Sequence, residues 1–466
     1  MRLQRQLFLR PRVLLRILKP AAEVPWVLFS ALLLVLTLPP TNAHFLLWIA
    51  WVPLLHALEL APSRRRAIFC GAACCALYHG MLFRWTLRLP IAAFSFVMLS
   101  SAAYGAYFGA AAFALRLRPR WQRAMLLPLL WVAPAALADN PWFPFFNSVI
   151  LLLGMHSPLP LPLLQLAHPL GEAGLAFFVV LVNALLGQAA AARARPREAG
   201  IAFGCAAAVL AGGGGWGSGQ ARTFSEAPSG AKPFRLACAQ QDLPFTWAWR
   251  AAHQDDIYRA YEGMAAQAAA RGASMVLFPQ YQIPEDIYRH PARWGEIARK
   301  SGIYMALGTY APVEPEQFGK EAWVVSLVFA PDGKMIGTHR ALHPSPFGRP
   351  MVVAGADAEP IAIPSLGRLA ILPCFDDVTP TPTRMFGRSG IDFIAAIAND
   401  GLFKGTIQPN LHIIRSRLRA VESRKFLVHC TPNGISAVID PAGRVLDSLP
   451  EGQGLLIHDF PSAKIN

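Results

Sequence analysis

The chain has 466 residues, of which 54% are hydrophobic and only 15% are charged. A typical soluble protein carries about 25% charged residues, so this composition excludes an ordinary soluble enzyme and indicates a membrane protein with more than one domain. The net charge of +15 does not indicate a nucleic-acid partner. Residues 1–233 hold 20 Lys or Arg against 6 Asp or Glu, whereas residues 234–466 hold 23 against 22, so the basic excess lies in the apolar half.

Residues 1–20 contain six Lys or Arg, and no small-residue cleavage site follows them, which predicts a cytoplasmic basic leader rather than a removed signal peptide. Seven apolar stretches come next, each about long enough to cross a bilayer as a helix. They are residues 23–40, 43–61, 67–87, 89–115, 124–143, 172–192 and 199–216.

The charges between these stretches predict their orientation. If the leader is cytoplasmic, the inner segments carry sixteen Lys or Arg and the outer ones carry only Arg84 and Arg88. By the positive-inside rule, everything after residue 216 is expected on the outer face, which is the periplasm in a bacterium. The outer connection 144–171 is apolar and rich in proline, so it is expected to lie in the membrane interface. It either packs against neighbouring helices or forms the wall of a lipid-entry path.

A polar segment rich in Gly, Ser and Pro separates the apolar half from the rest. The predicted organisation is a membrane domain at 1–216, a linker at 217–233 and a second domain at 234–466. In the second domain, apolar runs predict strands at 234–240, 274–278, 303–308, 323–330, 369–372, 391–397, 426–430 and 436–439, and helical spacing appears at 254–271 and 410–424. Strands interleaved with helices predict a layered α/β domain.

The apolar run 369–373 ends at Cys374, and two carboxylates follow at 376 and 377. A buried strand that ends in this way can present a nucleophilic sulfur at the edge of a sheet. The alternative is a small thiol that only fills a core. The seven cysteines have no zinc-site, redox-motif or disulfide spacing. No metal site is therefore expected. Residues 212–215 lack the Lys-Ser/Thr of a phosphate loop, so no nucleotide site is expected either, and no cofactor is called for.

Ordered motifs extend along nearly the whole chain. The membrane half contains residues 162–168, Gly171, Gly174 and the apolar run 177–186. The second half contains, in order, Gln240, Pro244 and Trp247, then Phe278-Pro279, Ile283-Pro284, residues 346–348, Cys374, Asn399-Asp400, Phe403, residues 419–422 with Arg424, residues 433–436, and residues 439–441 with Gly443. In these motifs the chain resembles the apolipoprotein N-acyltransferases, the membrane-anchored branch of the nitrilase (carbon–nitrogen hydrolase) superfamily.

The resemblance implies a multi-span membrane domain followed by an αββα sandwich, in a bacterial inner membrane with the soluble domain facing the periplasm. It implies a Glu, a Lys and a Cys in the active site. The Glu takes the thiol proton, the thiolate attacks a phospholipid ester, and the Lys stabilises the oxyanion. The resulting thioester passes its acyl chain to the N-terminal amine of a diacylated lipoprotein. Phospholipid, lipoprotein and the bilayer are thus the implied partners.

Only the Cys of this trio is present, as Cys374. The Glu position holds Gln280, whose amide cannot accept the thiol proton. The Lys position holds Ala341 in one alignment and His339 in another, and Arg340 is the nearest cation. The site has further departures from the family pattern at Arg349, Asp376 and Leu402.

These departures leave three interpretations. In the first, the chain is a working acyltransferase whose base is rebuilt from His343, Asp376 or Asp377. In the second, it is an inactive paralogue that binds lipid or lipoprotein without turnover. In the third, it performs a different nitrilase-type acyl or amide transfer. A transporter is disfavoured because the apolar stretches hold few ionisable residues. The family's eighth span has no counterpart here, since residues 454–466 are too short and polar to cross a membrane.

Overall fold

The computed structural model describes residues 22–137, 159–224, 233–281, 283, 285–314, 321–343, 345 and 352–460. The basic leader, most of the connection 144–171, and the motif residues Pro284, 346–348 and Arg349 lie outside these ranges. The chain divides into two compact units. The first comprises Met1–Arg84, Phe94–Ser157 and Ala176–Ala211, and the second comprises Trp85–Ala93, Pro158–Leu175 and Gly212–Asn466.

The first half of the chain is helical. Its helices are α1 (Val24–Leu36), α2 (Val52–Leu60), α3 (Arg64–Leu82), α4 (Ile91–Leu115), α5 (Arg120–Val132), α6 (Leu161–Leu164), α7 (Ala167–Ala191) and α8 (Pro196–Thr223), with 3-10 turns at His44–Trp48, Arg84–Arg88 and Ala133–Leu137. Among the described residues, α4, α7 and α8 are long and apolar enough to cross a membrane. Each predicted span contains a helix, but the number of crossings stays a prediction.

Helix α8 extends into the predicted linker. It runs without interruption through Gly212–Gly215 and ends only at Thr223, so residues 217–223 of the predicted linker are helical. Each glycine in a helix costs only about 1 kcal/mol relative to alanine. In apolar surroundings, leaving backbone groups without hydrogen bonds costs more than that. The run of glycines is therefore insufficient to end the helix.

Within the first unit, α3 and α4 approach each other closely through glycines. A Cβ added at Gly71 would lie 2.0 Å from the carbonyl oxygen of Gly105, and one added at Gly109 would lie 2.2 Å from that of Ala67. Backbones this close allow extensive van der Waals contact, which is a common basis of helix packing in membranes.

The second unit contains two β-sheets, one of seven strands and one of six. The strands are β1 (Phe234–Gln240), β2 (Met275–Gln280), β3 (Tyr304–Pro312), β4 (Ala322–Phe329), β5 (Met335–Arg340), β6 (Val352–Val353), β7 (Ile361–Ile363), β8 (Gly367–Pro373), β9 (Phe393–Ile397), β10 (Phe426–Cys430), β11 (Ser436–Ile439), β12 (Val445–Leu449) and β13 (Gly454–Phe460). One sheet has the order β13-β1-β2-β3-β4-β5 with β6 beside β4, and the other has the order β12-β11-β10-β9-β8-β7. Strands β8, β9 and β10 are parallel neighbours.

Helices cover the outer faces of both sheets. The helices of this unit are α9 (Trp247–Ala252), α10 (Gln254–Ala270), α11 (Ala292–Ser301), α12 (Phe375–Val378), α13 (Pro380–Arg388) and α14 (Gln408–Ser423). Apolar residues of both sheets, including Leu277 and Ile371, form the core between them. Helices α10 and α11 pack on the first sheet, and α13 and α14 pack on the second. The predicted order, an apolar helical region followed by an αββα domain, is confirmed.

A disulfide joins the two sheets of this domain. Cys238 of β1 and Cys430 of β10 are bonded, with their Cα atoms 5.7 Å apart. The linear spacing of the cysteines did not indicate this pair, because its members are 192 residues apart and meet only when the sheets stack.

The segment 158–175 belongs to the second unit and is attached to it by buried polar contacts. Glu172 accepts hydrogen bonds from Arg415 and Arg419 of α14, all three side chains being almost fully buried. Gln165 donates to the carbonyl oxygen of Ala442 at 2.8 Å. A buried charge is tolerated only when it is paired, so these contacts fix the segment on the α/β domain.

Candidate active site

Gln280 and Cys374 lie on either side of the end of β9. Gln280 is the last residue of β2, and its backbone amide donates to the carbonyl oxygen of Ala398 at 3.2 Å. Cys374 directly follows β8, and its amide donates to the carbonyl oxygen of Ile397 at 2.8 Å. The ends of three strands thus bring together the two sequence-predicted residues that are 94 positions apart.

The backbone of Cys374 is strained. Its φ of 46° and ψ of −100° lie in a region that residues other than glycine seldom adopt. Such a conformation costs about 1–3 kcal/mol and is found mostly at functional sites. It produces a sharp turn between β8 and the short helix α12, and residue Cys374 as a whole is partly exposed at this turn. This is the arrangement by which a strand presents a nucleophile at a sheet edge.

The surroundings of the Cys374 sulfur disfavour its thiolate form. Loss of water around the sulfur is the largest effect and raises the pKa of the thiol to about 12. The negative charge of Asp400 acts in the same direction, followed by those of Asp376 and Asp377. A hydrogen bond from the backbone amide of Asn399 opposes the increase. Within the described part of the chain, no carboxylate or imidazole is hydrogen-bonded to this sulfur.

Gln280 is buried and only partly satisfied. Its side chain forms a hydrogen bond with the Tyr310 hydroxyl, while its Oε1 has no hydrogen-bond partner among the described residues. The pKa of Tyr310 is raised to about 12, first by burial and then by the charge of Cys374, whereas the charge of Arg250 opposes this increase. Tyr310 and Arg250 therefore lie near enough to influence the site electrostatically, although the sequence did not indicate either of them.

The candidates for the Lys position do not supply an ammonium group. Ala341 follows β5 and is buried, and its methyl group cannot donate to an oxyanion. The Arg340 guanidinium lies over the Trp323 ring at 4.0 Å and donates to the Tyr288 hydroxyl at 3.0 Å. The Arg340 guanidinium thus contacts the side chains of Trp323 and Tyr288.

Asp376 and His343, the candidates for a replacement base, lie against each other. Asp376 is fully buried and accepts hydrogen bonds from the amides of Leu342 at 2.9 Å and His343 at 2.6 Å. Its Oδ1 lies 3.9 Å from His343 Nδ1, and its Oδ2 lies 3.6 Å from His339 Nε2. Both carboxylate oxygens of Asp376 are therefore occupied in holding the segment that follows β5.

A second polar cluster adjoins this site, and the sequence did not indicate its two histidines. We call Asp377, Asp400, His412 and His429 the His–Asp cluster. His412 Nδ1 lies 2.9 Å from Asp400 Oδ1, and His429 Nδ1 lies 3.2 Å from Asp377 Oδ2. All four residues are at most 3% exposed. The sequence could have grouped three of the four, because Asp377, Asp400 and His429 lie at or just after the carboxyl ends of the parallel strands β8, β9 and β10, and such ends converge.

The charges of the His–Asp cluster stabilise one another. Burial alone would raise the pKa of Asp400, but the charges and hydrogen bonds of His412 and His429 outweigh it and lower this pKa below its usual range. Burial alone would lower the pKa of His429, but hydrogen bonds and charge from Asp377 and Asp400 raise it. The cluster is thus a compact arrangement of opposite charges beside Cys374.

Comparisons with known proteins agree with this description. The family model of the carbon–nitrogen hydrolases matches residues 235–466, and that of the apolipoprotein N-acyltransferase N-terminal domain matches residues 30–185. An apolipoprotein N-acyltransferase from Geobacter metallireducens is 28% identical over 94% of this chain and 89% of its own length. One from Gloeobacter violaceus is 28% identical over 88% of this chain and 82% of its own. An amidase of the nitrilase superfamily from Nesterenkonia has a TM-score of 0.41 with 22% identity, covering 50% of this chain and 93% of its own.

The carbon–nitrogen hydrolase model defines the second domain as a nitrilase-superfamily domain, here preceded by apolar helices. Because both family models match in order and the relatives align along nearly the whole chain, the protein belongs to the apolipoprotein N-acyltransferase family. Its apolar helices and its relatives indicate a bacterial inner-membrane protein.

Proposed function

We propose that the protein transfers an acyl chain from a phospholipid, through a thioester on Cys374, to the N-terminal amine of a lipoprotein. The observation that carries this proposal is the strained turn at Cys374, which costs free energy and presents the sulfur at the edge of the sheet. The relatives that align with the chain bear the name of this activity. The domain arrangement in this proposal is a membrane domain at 1–216 and a nitrilase-like domain at 234–466.

The two steps balance without an external reactant. In the first step, the Cys374 sulfur bonds to the ester carbonyl carbon, the ester C–O bond breaks, and the thiol proton ends on the lysophospholipid oxygen. In the second step, the acceptor amine bonds to the thioester carbon, the C–S bond breaks, and an amine proton returns to the sulfur. The backbone amide of Asn399 stabilises negative charge on the sulfur.

A second candidate function, lipid or lipoprotein binding without turnover, is favoured by a separate observation. The residue beside Cys374 is an amide, Gln280, and the thiol pKa is raised to about 12. Loss of a general base typically slows a reaction about 10²–10⁴-fold. In this case the fold would bind the same partners, while the thiol would stay protonated and inert.

The intact mass of the full-length protein after incubation with phospholipid separates the two functions. Acyl transfer predicts a mass gain of one acyl chain that is absent in Cys374→Ala. A matched control, Cys205→Ala, removes an exposed free thiol on α8 and is expected to retain the adduct. No adduct on the folded protein, together with saturable phospholipid binding, would contradict turnover and support the binding function.

We also propose that the nitrilase-like domain faces the periplasm. Sixteen basic residues on the inner connections against two on the outer ones support this orientation. The Cys238–Cys430 disulfide supports it independently, because disulfides persist in the periplasm and are rare in the cytosol.

A further inference from the structure

We propose that Asp377, His412 and His429 bind one divalent transition-metal ion, for which Zn²⁺ is the natural probe. The carboxylate and the two imidazoles each offer a ligand atom, and these atoms all lie within 4.8 Å of one another in a buried space. Two nitrogen donors and one oxygen donor are a common ligand set for Zn²⁺ and for other first-row divalent ions. This inference is independent of the proposed acyl transfer.

The distances require only small movements for coordination. His412 Nε2 lies 3.7 Å from Asp377 Oδ2, and His429 Nδ1 lies 3.2 Å from the same oxygen. With bonds of about 2.0–2.2 Å to zinc, ligand atoms in a tetrahedral site lie about 3.3–3.6 Å apart. The two histidine nitrogens lie within 4.8 Å of each other, so side-chain rotations that bring them closer would place the three atoms around one ion.

Donor atoms without a partner on two of the three residues support the site. His412 Nε2 and Asp377 Oδ1 have no hydrogen-bond partner among the described residues. A buried polar atom without a partner costs roughly 1–3 kcal/mol. A cation bound between His412 and Asp377 would give His412 Nε2 a partner.

Further polar groups hold the ligands in position. Asp400 Oδ1 lies 2.9 Å from His412 Nδ1, which is hydrogen-bond distance. Its Oδ2 lies 3.7 Å from His429 Nε2, close but beyond hydrogen-bond distance, so this carboxylate holds His412 directly and only faces His429. A carboxylate on the outer nitrogen of a metal-binding histidine fixes the tautomer that leaves the inner nitrogen free to coordinate. Ser416 Oγ, 2.9 Å from His429 Nδ1 and hydrogen-bonded to Asp377, is available as a fourth donor.

The test is the metal content of the full-length protein, because a buried site is filled during folding more readily than afterwards. Cells are grown with added Zn²⁺, and the purified protein is analysed by elemental mass spectrometry after removal of loosely bound metal. We expect about one zinc ion per chain in the wild type and at least a fivefold loss in His412→Gln and in His429→Gln. His458→Ala is the matched control, since His458 also faces an aspartate, Asp447, at 3.9 Å but on another strand pair, and it is expected to retain the zinc.

Asp400→Asn separates a ligand from a positioning residue. It is expected to keep the ion but to lose it to a chelator at a 10–100-fold lower chelator concentration. An intact Cys238–Cys430 disulfide, read by mass under non-reducing conditions, shows that each variant has folded. Zinc absent from folded wild-type protein, or equal zinc in the wild type and both histidine variants, would overturn the proposal. In that case the His–Asp cluster would be a metal-free ion-pair network.

Discussion

The site combines a strained cysteine with surroundings that keep its thiol protonated. The turn at Cys374 costs free energy, yet burial and the charge of Asp400 raise the pKa of the sulfur. In a working acyltransferase, the lipid substrate would have to offset this balance by aligning its ester carbonyl with the sulfur. Reactivity of Cys374 therefore has to be measured as a function of pH and of lipid, since fold alone does not fix function.

The first residue-scale prediction concerns alkylation of Cys374 by iodoacetamide. The thiolate is the reactive form, so with a pKa of about 12 only roughly one thiol in ten thousand is ionised at pH 8. Because the fraction ionised rises as protons are removed, we expect the rate to increase about tenfold per pH unit between pH 8 and pH 10. The rate is followed by peptide mass spectrometry, with glutathione as the reference thiol. A rate that levels off below pH 9 would show that the sulfur is activated.

A second residue-scale prediction concerns the amide beside the sulfur. Gln280→Glu introduces a carboxylate at the end of β2, where it can accept the thiol proton, and is expected to accelerate formation of the Cys374 adduct about 10²–10⁴-fold. Adduct formation is followed by intact mass with phospholipid. The double variant with Ala341→Lys tests whether an ammonium adds a further increase. An unchanged rate in folded Gln280→Glu would show that residue 280 is not the position of the base.

At the scale of elements, α3 and α4 of the first unit cross at a close backbone approach. Gly105→Ala would place a Cβ 2.2 Å from the carbonyl oxygen of Gly71, so the backbones must separate. Overpacking of this kind costs about 1–3 kcal/mol, and we expect a lower unfolding temperature in detergent. Gly204→Ala on α8 is the control, because nothing lies within 4 Å of its added Cβ. Equal unfolding temperatures for the two variants would contradict this packing.

The elements that the sequence predicted are those with a continuous apolar run. Strands β1, β8 and β10 lie within a few residues of their predicted positions, because each is buried on both faces. Strand β12 was missed because four of its five residues are exposed, so no apolar pattern marks it. Strand β13 is half-exposed, and it is held in the sheet by pairing along seven residues of β1. Such pairing is tertiary and cannot be read from a local pattern.

The candidate site shows the same limit. Cys374 and Gln280 were predicted from motifs, and the structure places them on either side of one strand end. His412 and His429 lie on a helix and a strand and meet Asp377 only in the folded domain. The linear sequence gives these three residues no metal-site spacing, so their grouping depends on the order of strands β8, β9 and β10.

At the scale of the whole molecule, the Cys238–Cys430 disulfide joins residues 192 positions apart and therefore reports the compartment in which the domain folds. If the nitrilase-like domain faces the periplasm, the bond forms in the cell. After acid trapping of growing cells and denaturation, we expect a maleimide to label five of the seven cysteines, and all seven once the protein is reduced.

The double variant Cys238→Ser and Cys430→Ser completes this test. It is expected to give five labels with or without reduction, and to lower the free energy of unfolding by about 2–4 kcal/mol because a long loop is no longer closed in the unfolded chain. Cys205→Ala removes one label and leaves the bond intact, which controls for labelling efficiency. Seven labels in the unreduced wild type would mean that both thiols face a reducing compartment. The proposed orientation would then be reversed, and the phospholipid and lipoprotein substrates of the outer leaflet would be out of reach of Cys374.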